Sequence, residues 1–169
     1  MKFRFLPLIA MALIGLSSCS RRITPVYTYD EPVRSEPVME SNRGNSMEAS
    51  ILHYVNMHRR SLGLRDLQMI EPANQQAYNH SRDMATGRAS FGHDGFSQRV
   101  SNISNAIGRV SGSAENVAYG NLSAREVVDV WINSAGHRKN MEGNYNQTGI
   151  GVYSDRRGVL YFTQIFVRR

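Results

Sequence analysis

Five histidines, one cysteine and a scatter of serines and carboxylates are the groups in this 169-residue chain that could do acid–base, nucleophilic or metal chemistry at neutral pH. Their spacing supplies no local catalytic motif: there is no HExxH pair, no CxxC pair and no Gly-x-Ser-x-Gly elbow. His53 stands five residues before His58, which puts the two rings on different faces of a helix. These two and His80 fall in helical patterns and read as surface or packing groups with no assigned role. His93 and His137 instead stand beside glycines, in Gly92-His93-Asp94-Gly95 and Gly136-His137. Ser134 lies three residues before His137, a nucleophile–base spacing that works only if one helix carries both, and Gly136 is expected to end the helix first. Any site must therefore be assembled from separate segments by the fold.

Those segments are legible. Met47, Ile51, Val55 and Leu62, with Leu52 and His58 beside them, predict an amphipathic helix from Ser46, closed by Gly63, with Leu64 and Leu67 packing the connection. Glu71-Pro72 opens a second helix whose Ala73, Ala77, Ser81, Met84 and Ala85 make a small, closely packing face as far as Gly87. Phe91 to Phe96 reads as a loop, and Ser97 to Ile107 as a short helix turning Val100, Ile103 and Ile107 inward. Ala114 to Tyr119 is a strand between Gly112 and Gly120, and Ser123 with Glu126 is a capping box for a helix carrying Val127, Val128 and Trp131. After Gly136 a polar loop is expected. Thr148 to Tyr153 and Val159 to Val167 then form two strands joined at Asp155-Arg156-Arg157-Gly158. Tyr161, Thr163 and Ile165 alternate with Phe162, Gln164 and Phe166, as in a strand covered on both faces, so Trp131, Tyr161, Phe162 and Phe166 are read chiefly as core. The fold class is α+β.

With 41% hydrophobic and 20% charged residues the chain is globular, and its length suits one domain with a tail. Its net charge of +6 comes from scattered arginines, the lysines being Lys2 and Lys139 alone. No basic stripe with interleaved aromatics is present, so nucleic acid is not an expected partner. Met1 to Arg4 is basic and Phe5 to Leu16 apolar, an export signal too short to span a bilayer. Leu16-Ser17-Ser18-Cys19 resembles the lipobox of bacterial lipoproteins. That reading makes residues 1–18 a lipoprotein signal peptide, Cys19 the lipidated anchor and residues 19–45 a tether. In the tether Pro25, Pro32 and Pro37 interrupt a polar run whose four arginines balance four acids. Ser20 after the cysteine, where an aspartate would signal inner-membrane retention, favours the outer membrane in a Gram-negative host. Cys19 being the only cysteine, no internal disulfide can form and the domain at 46–169 must be stabilised by packing.

Four stretches occur in order: MATGRASFGHDGF (Met84–Phe96), AENVAYG (Ala114–Gly120), WINSAGHRKNM (Trp131–Met141), and TGIGVY followed by YFTQIFV. Together they resemble the CAP superfamily (cysteine-rich secretory protein, antigen 5 and pathogenesis-related 1 proteins, or SCP domain), particularly its bacterial branch, over roughly Ser46 to Val167. The resemblance implies a three-layer α-β-α sandwich with a central antiparallel sheet and a cleft on one face. In that family two histidines and two acids line the cleft. Here His93, Glu115 and His137 match by position, while the second acid falls on Ser134 and the tetrad is incomplete.

Two imidazoles and one carboxylate with an open fourth position would suit zinc or another divalent cation, polarising water or a carbonyl. The competing reading is a hydrogen-bonded network in which Glu115 accepts from both histidines and holds the cleft loops. A serine hydrolase using Ser134, His137 and Glu115 lacks its elbow. Asn116, Arg138 and Asn140 line the same region and read as loop-fixing residues. The expected function is thus an envelope lipoprotein binding an envelope or host ligand (protein, lipid or glycan) through this cleft. A metal-dependent hydrolase of peptides or wall polymers and a purely structural envelope protein are the alternatives.

Overall fold

The computed structural model describes residues 46–169; the signal segment, Cys19 and the tether lie outside the described residues. Helix α1 (Met47–Ser61) begins where the Ser46 hydroxyl accepts the Ala49 N–H, and ends before Gly63, which adopts φ 71°. Ile51 and Val55 are fully buried, but Leu62, expected in the same stripe, follows the last helical turn and is exposed. Helix α2 (Glu71–Ala85) carries its proline in the first turn, where no intrahelical N–H is needed. Helix α3 (Phe96–Ile107) follows the His93 loop, and helix α4 (Ala124–Asn133) starts in the predicted Ser123–Glu126 capping box.

Where a polar loop was expected after Gly136, the chain forms a further helix, α5 (Ala135–Met141). Ser134 ends α4 and caps α5, so the chain turns there and Gly136 sits in a first turn, where its lost propensity costs little. Seven mostly polar residues carry no readable apolar period; tertiary contacts hold this helix. The buried Arg59 of α1 donates to the carbonyls of Met141 (2.6 Å), Gly143 (3.0 Å) and Tyr145 (3.3 Å), serving as the C-terminal cap that the local sequence lacks.

The sheet runs β1 (Gln68–Met69), β3 (Gln147–Ser154), β4 (Leu160–Arg168), β2 (Gly112–Gly120). Its three long strands are antiparallel as expected, whereas β1 adds two parallel residues on β3, too short to leave a sequence signal. Register places Glu115, Val117 and Tyr119 on the same face as Ile165, Thr163 and Tyr161, beneath α2 and α3. The other face, with Phe162, Gln164, Phe166 and Ile150, packs on Ile51, Val55, Val127, Val128 and Trp131 of α1 and α4. The result is the three-layer α-β-α sandwich. Among the described residues no helix is long and apolar enough to cross a membrane.

Candidate functional site

The site is built on β2, which lies at the edge of the sheet. Glu115 points under α3, its side chain only 1% exposed. A carboxylate so placed needs charge and hydrogen-bond partners. Arg99 supplies both, its Nε donating to Oε2 at 2.8 Å and its second terminal nitrogen to Oε1 at 2.7 Å, a bidentate fork. His93 Nδ1 lies 2.9 Å from Oε1. A carboxylate can only accept, so that nitrogen carries the proton and Nε2 is the ring nitrogen left to the solvent-facing side of the cleft. The same guanidinium donates to the Asp94 carbonyl at 2.8 Å, and His80 Nε2 donates to the Gly92 carbonyl at 2.8 Å while lying 3.9 Å from Glu115 Oε1. The His93 loop is therefore pinned from beneath by Arg99, Glu115 and His80.

On the other side of β2 stands α5. Asn116 donates to the His137 carbonyl (3.1 Å), and Asn140 donates both to the Glu115 carbonyl (3.2 Å) and to Asn116 Oδ1 (2.9 Å), the loop-fixing roles read from sequence. His137 Nδ1 is buried with no hydrogen-bond partner among the described residues. Burial, reinforced by the nearby His93, pushes the His137 pKa down. Burial likewise lowers that of His80, with Arg99 adding to the effect. Both rings are held neutral at pH 7. The outer carbonyls of β2 are also covered: beside Asn140 on Glu115, Trp131 Nε1 reaches Val117 O and the Tyr145 hydroxyl reaches Ser113 O, each at 3.5 Å.

Several expectations change. Glu115 accepts from His93 and Arg99, and not from both cleft histidines. His80, first read as a packing residue with no role, lies 4% exposed against the site. The helix does carry His137, but it is α5, and Ser134 stands at the break between α4 and α5 with no hydrogen bond to the unpaired His137 Nδ1. Arg138 donates to the Ile132 carbonyl at 2.9 Å, bracing the α4–α5 turn. His58 pairs with Glu142 at 3.0 Å, a brace between α1 and the end of α5, and His53 is exposed beside Tyr54. Arg99 and His80 were missed although a signal existed. Arg99 is four residues before Ile103 and eight before Ile107, on the inward stripe, and His80 falls within the stripe of Ala77, Ser81 and Met84.

Residues 52–166 match the profile of the cysteine-rich secretory protein family, CAP. The chain belongs to the CAP family. Over 127 residues it is 33% identical to the uncharacterized membrane protein YlbC of Bacillus subtilis, the match covering 72% of this chain and 34% of that protein. The chain thus spans only about a third of that relative's length. Among solved structures, an extracellular SCP-domain protein of Bacillus anthracis superposes with TM-score 0.62 at 24% identity, covering 76% of this chain and 45% of that one. An outer surface protein of Borrelia burgdorferi gives TM-score 0.62 at 16% identity, covering 76% of this chain and 99% of that one. These two likenesses show the shared fold.

In CAP terms the tetrad here reads His93, Glu115, Ser134, His137, and its residues do not fit the three-ligand metal set. Both oxygens of Glu115 are bound by the Arg99 guanidinium, so this carboxylate is committed to a fixed cation already. Among the described residues no three histidines, cysteines or acids stand together as a ligand group. The His93 loop and α5 hold His93 and His137 near one another on a braced frame.

Proposed function

We propose that this CAP protein is exported, anchored in the cell envelope by lipid on Cys19, and carries a binding module whose cleft lies between the His93 loop and α5. The observation that carries the binding reading is the engagement of Glu115: with both oxygens bound, the cleft offers ligand-recognising imidazoles without a free carboxylate base or an activated hydroxyl. Export is supported by relatives described as a membrane protein, an extracellular protein and an outer surface protein. It is supported equally by the basic start, apolar run and lone cysteine of the first 19 residues.

The test uses the mature chain and a His93→Ala/His137→Ala variant, incubated with isolated envelope fractions and with peptide and wall polymers. Saturable retention of the wild type, loss of retention in the variant at an unchanged melting temperature, and no turnover are expected. Turnover that a chelator abolishes and zinc restores would replace this reading with the metal hydrolase. Equal retention of both proteins would remove the cleft from the function. For the anchor, labelled palmitate enters the wild type and not Cys19→Ala; equal labelling would sink it.

A further inference from the structure

Tyr161, placed in the core by the sequence reading, is instead partly exposed and lies in the middle of an aromatic row. Phe91, two residues before His93, meets Tyr119 edge-on with ring centroids 4.8 Å apart, and Tyr119 stacks on Tyr161 at 5.7 Å. Tyr161 pairs in register with Tyr153, which meets Tyr78 of α2 at 5.7 Å. The row crosses one end of the α2 face of the sheet. Phe91 is 50% exposed and Tyr119 58%, although rings of this size gain about 2–3 kcal/mol on burial. One ring wide and about 10 Å long across three strands, it is too narrow for the ~800 Å² that each partner buries in a stable protein interface.

At the Tyr153 end the row opens into a groove of about 600 Å³ between the end of α2 (Ala85, Thr86) and the β3–β4 turn. The acid in that groove is already engaged: Asp155 accepts the N–H groups of Arg157 and Val159 and the Arg157 guanidinium. Arg156, exposed in the same groove, has no acid within ion-pair distance among the described residues. The groove therefore carries positive charge that its own acid does not balance.

The geometry points to a carboxylated glycan as the ligand of this row, its pyranose rings lying along Phe91, Tyr119 and Tyr161 and its acid group meeting Arg156. A pyranose presents apolar C–H patches rimmed by hydroxyls, and a row of tyrosines presents ring surface rimmed by phenol hydroxyls. Tyrosines give such contact area at low entropic cost. The uncompensated arginine selects an acidic sugar over a neutral one. This surface uses neither cleft histidine, so it stands or falls apart from the cleft reading.

The mature chain in detergent, titrated calorimetrically with a galacturonic acid tetramer and with the carboxyl-reduced tetramer, tests it. The acidic tetramer should bind saturably and the neutral one about tenfold more weakly, a difference of ~1.4 kcal/mol. Tyr119→Ala should weaken both about tenfold and Tyr119→Phe much less, while Arg156→Ala should erase the preference for the acid. If Tyr119→Ala lowers the melting temperature, Phe91→Ala in the exposed loop replaces it. No saturable binding of the acidic tetramer overturns the inference. So does binding that survives Tyr119→Ala or Phe91→Ala and depends on Arg156 alone.

Discussion

The two faces of the sheet are packed by opposite means. Under α2, backbone rests on backbone: a Cβ on Gly149 would lie 2.1 Å from the Ala73 carbonyl carbon, and one on Gly151 2.1 Å from the Tyr78 nitrogen. Ser81 completes that contact by donating to the Gly151 carbonyl at 2.9 Å and accepting from the Thr163 hydroxyl at 2.8 Å. The face under α1 and α4 is filled instead by large side chains, with Trp131, Phe162, Phe166 and Met141 fully buried. Large side chains can repack around a change, whereas touching backbones cannot. The buried charge cluster follows the unyielding face: His80 on α2 and Glu115 beneath α3 both lie there, so the His93 loop is held through an element seated backbone on backbone.

The sharpest way to break this contrast is Gly151→Ala. The added methyl has only main chain to push against, so we expect a loss of about 3 kcal/mol or more, read as a collapsed urea midpoint. A loss under about 1 kcal/mol, within the range of tolerated volume changes, would mean that α2 can slide. Next is Glu115→Ala, which leaves the Arg99 guanidinium buried without its partner and should lose about 3–5 kcal/mol by urea unfolding. Replacing both at once, Glu115→Leu with Arg99→Met, should recover most of that loss, because an apolar pair avoids the buried charge. Failure to recover would show that the pair holds the loop as well as neutralising itself. On the adaptable face, Phe162→Leu should lose only about 1–1.5 kcal/mol as neighbours close in; a loss matching that of Gly151→Ala would erase the distinction.

The smallest effect is the response to pH. Burial holds the folded-state pKa values of His80 and His137 below the ordinary histidine value, so as pH falls the unfolded chain takes up protons first. Stability from these two groups is complete above about pH 6.5, the unfolded value, and is lost as pH drops toward and through the folded values. Urea midpoints measured at descending pH should decline over that window, and His80→Gln should flatten the decline. An unchanged slope in that variant would remove His80 from the buried network.

The sequence was legible where a residue's neighbours along the chain determine its place. The capping box at Ser123 and Glu126, the small stripe of α2 and the alternation of β4 all rest on local sequence; the first two formed as read, and β4 did so from Phe162 onward. Helix α5 was not legible because its cap, Arg59, comes from α1, far away in the chain. Strand β1 is two residues long and exists only through its pairing with β3. At the site, the ordered motifs were enough to single out His93, Glu115 and His137, but not to show what occupies Glu115. Arg99 and His80 were hidden because a polar residue inside an apolar stripe reads as an exception until its buried partner on another element is in view. Tyr161 was misplaced for the converse reason: its alternation fits a core strand, but at that end of β4 the ring stacks on the exposed Tyr119 and stays partly exposed.

The covering of the β2 carbonyls by Asn140, Trp131 and Tyr145 has a consequence for molecules crowded side by side. A nine-residue bare margin would invite a second copy to dock strand to strand and seed a growing fibre. Here donors from α4, α5 and the following turn occupy acceptors such a newcomer would need, and the opposite margin, β1, is too brief to offer many. A sandwich without a single disulfide thereby blocks its own template for strand-to-strand polymerisation.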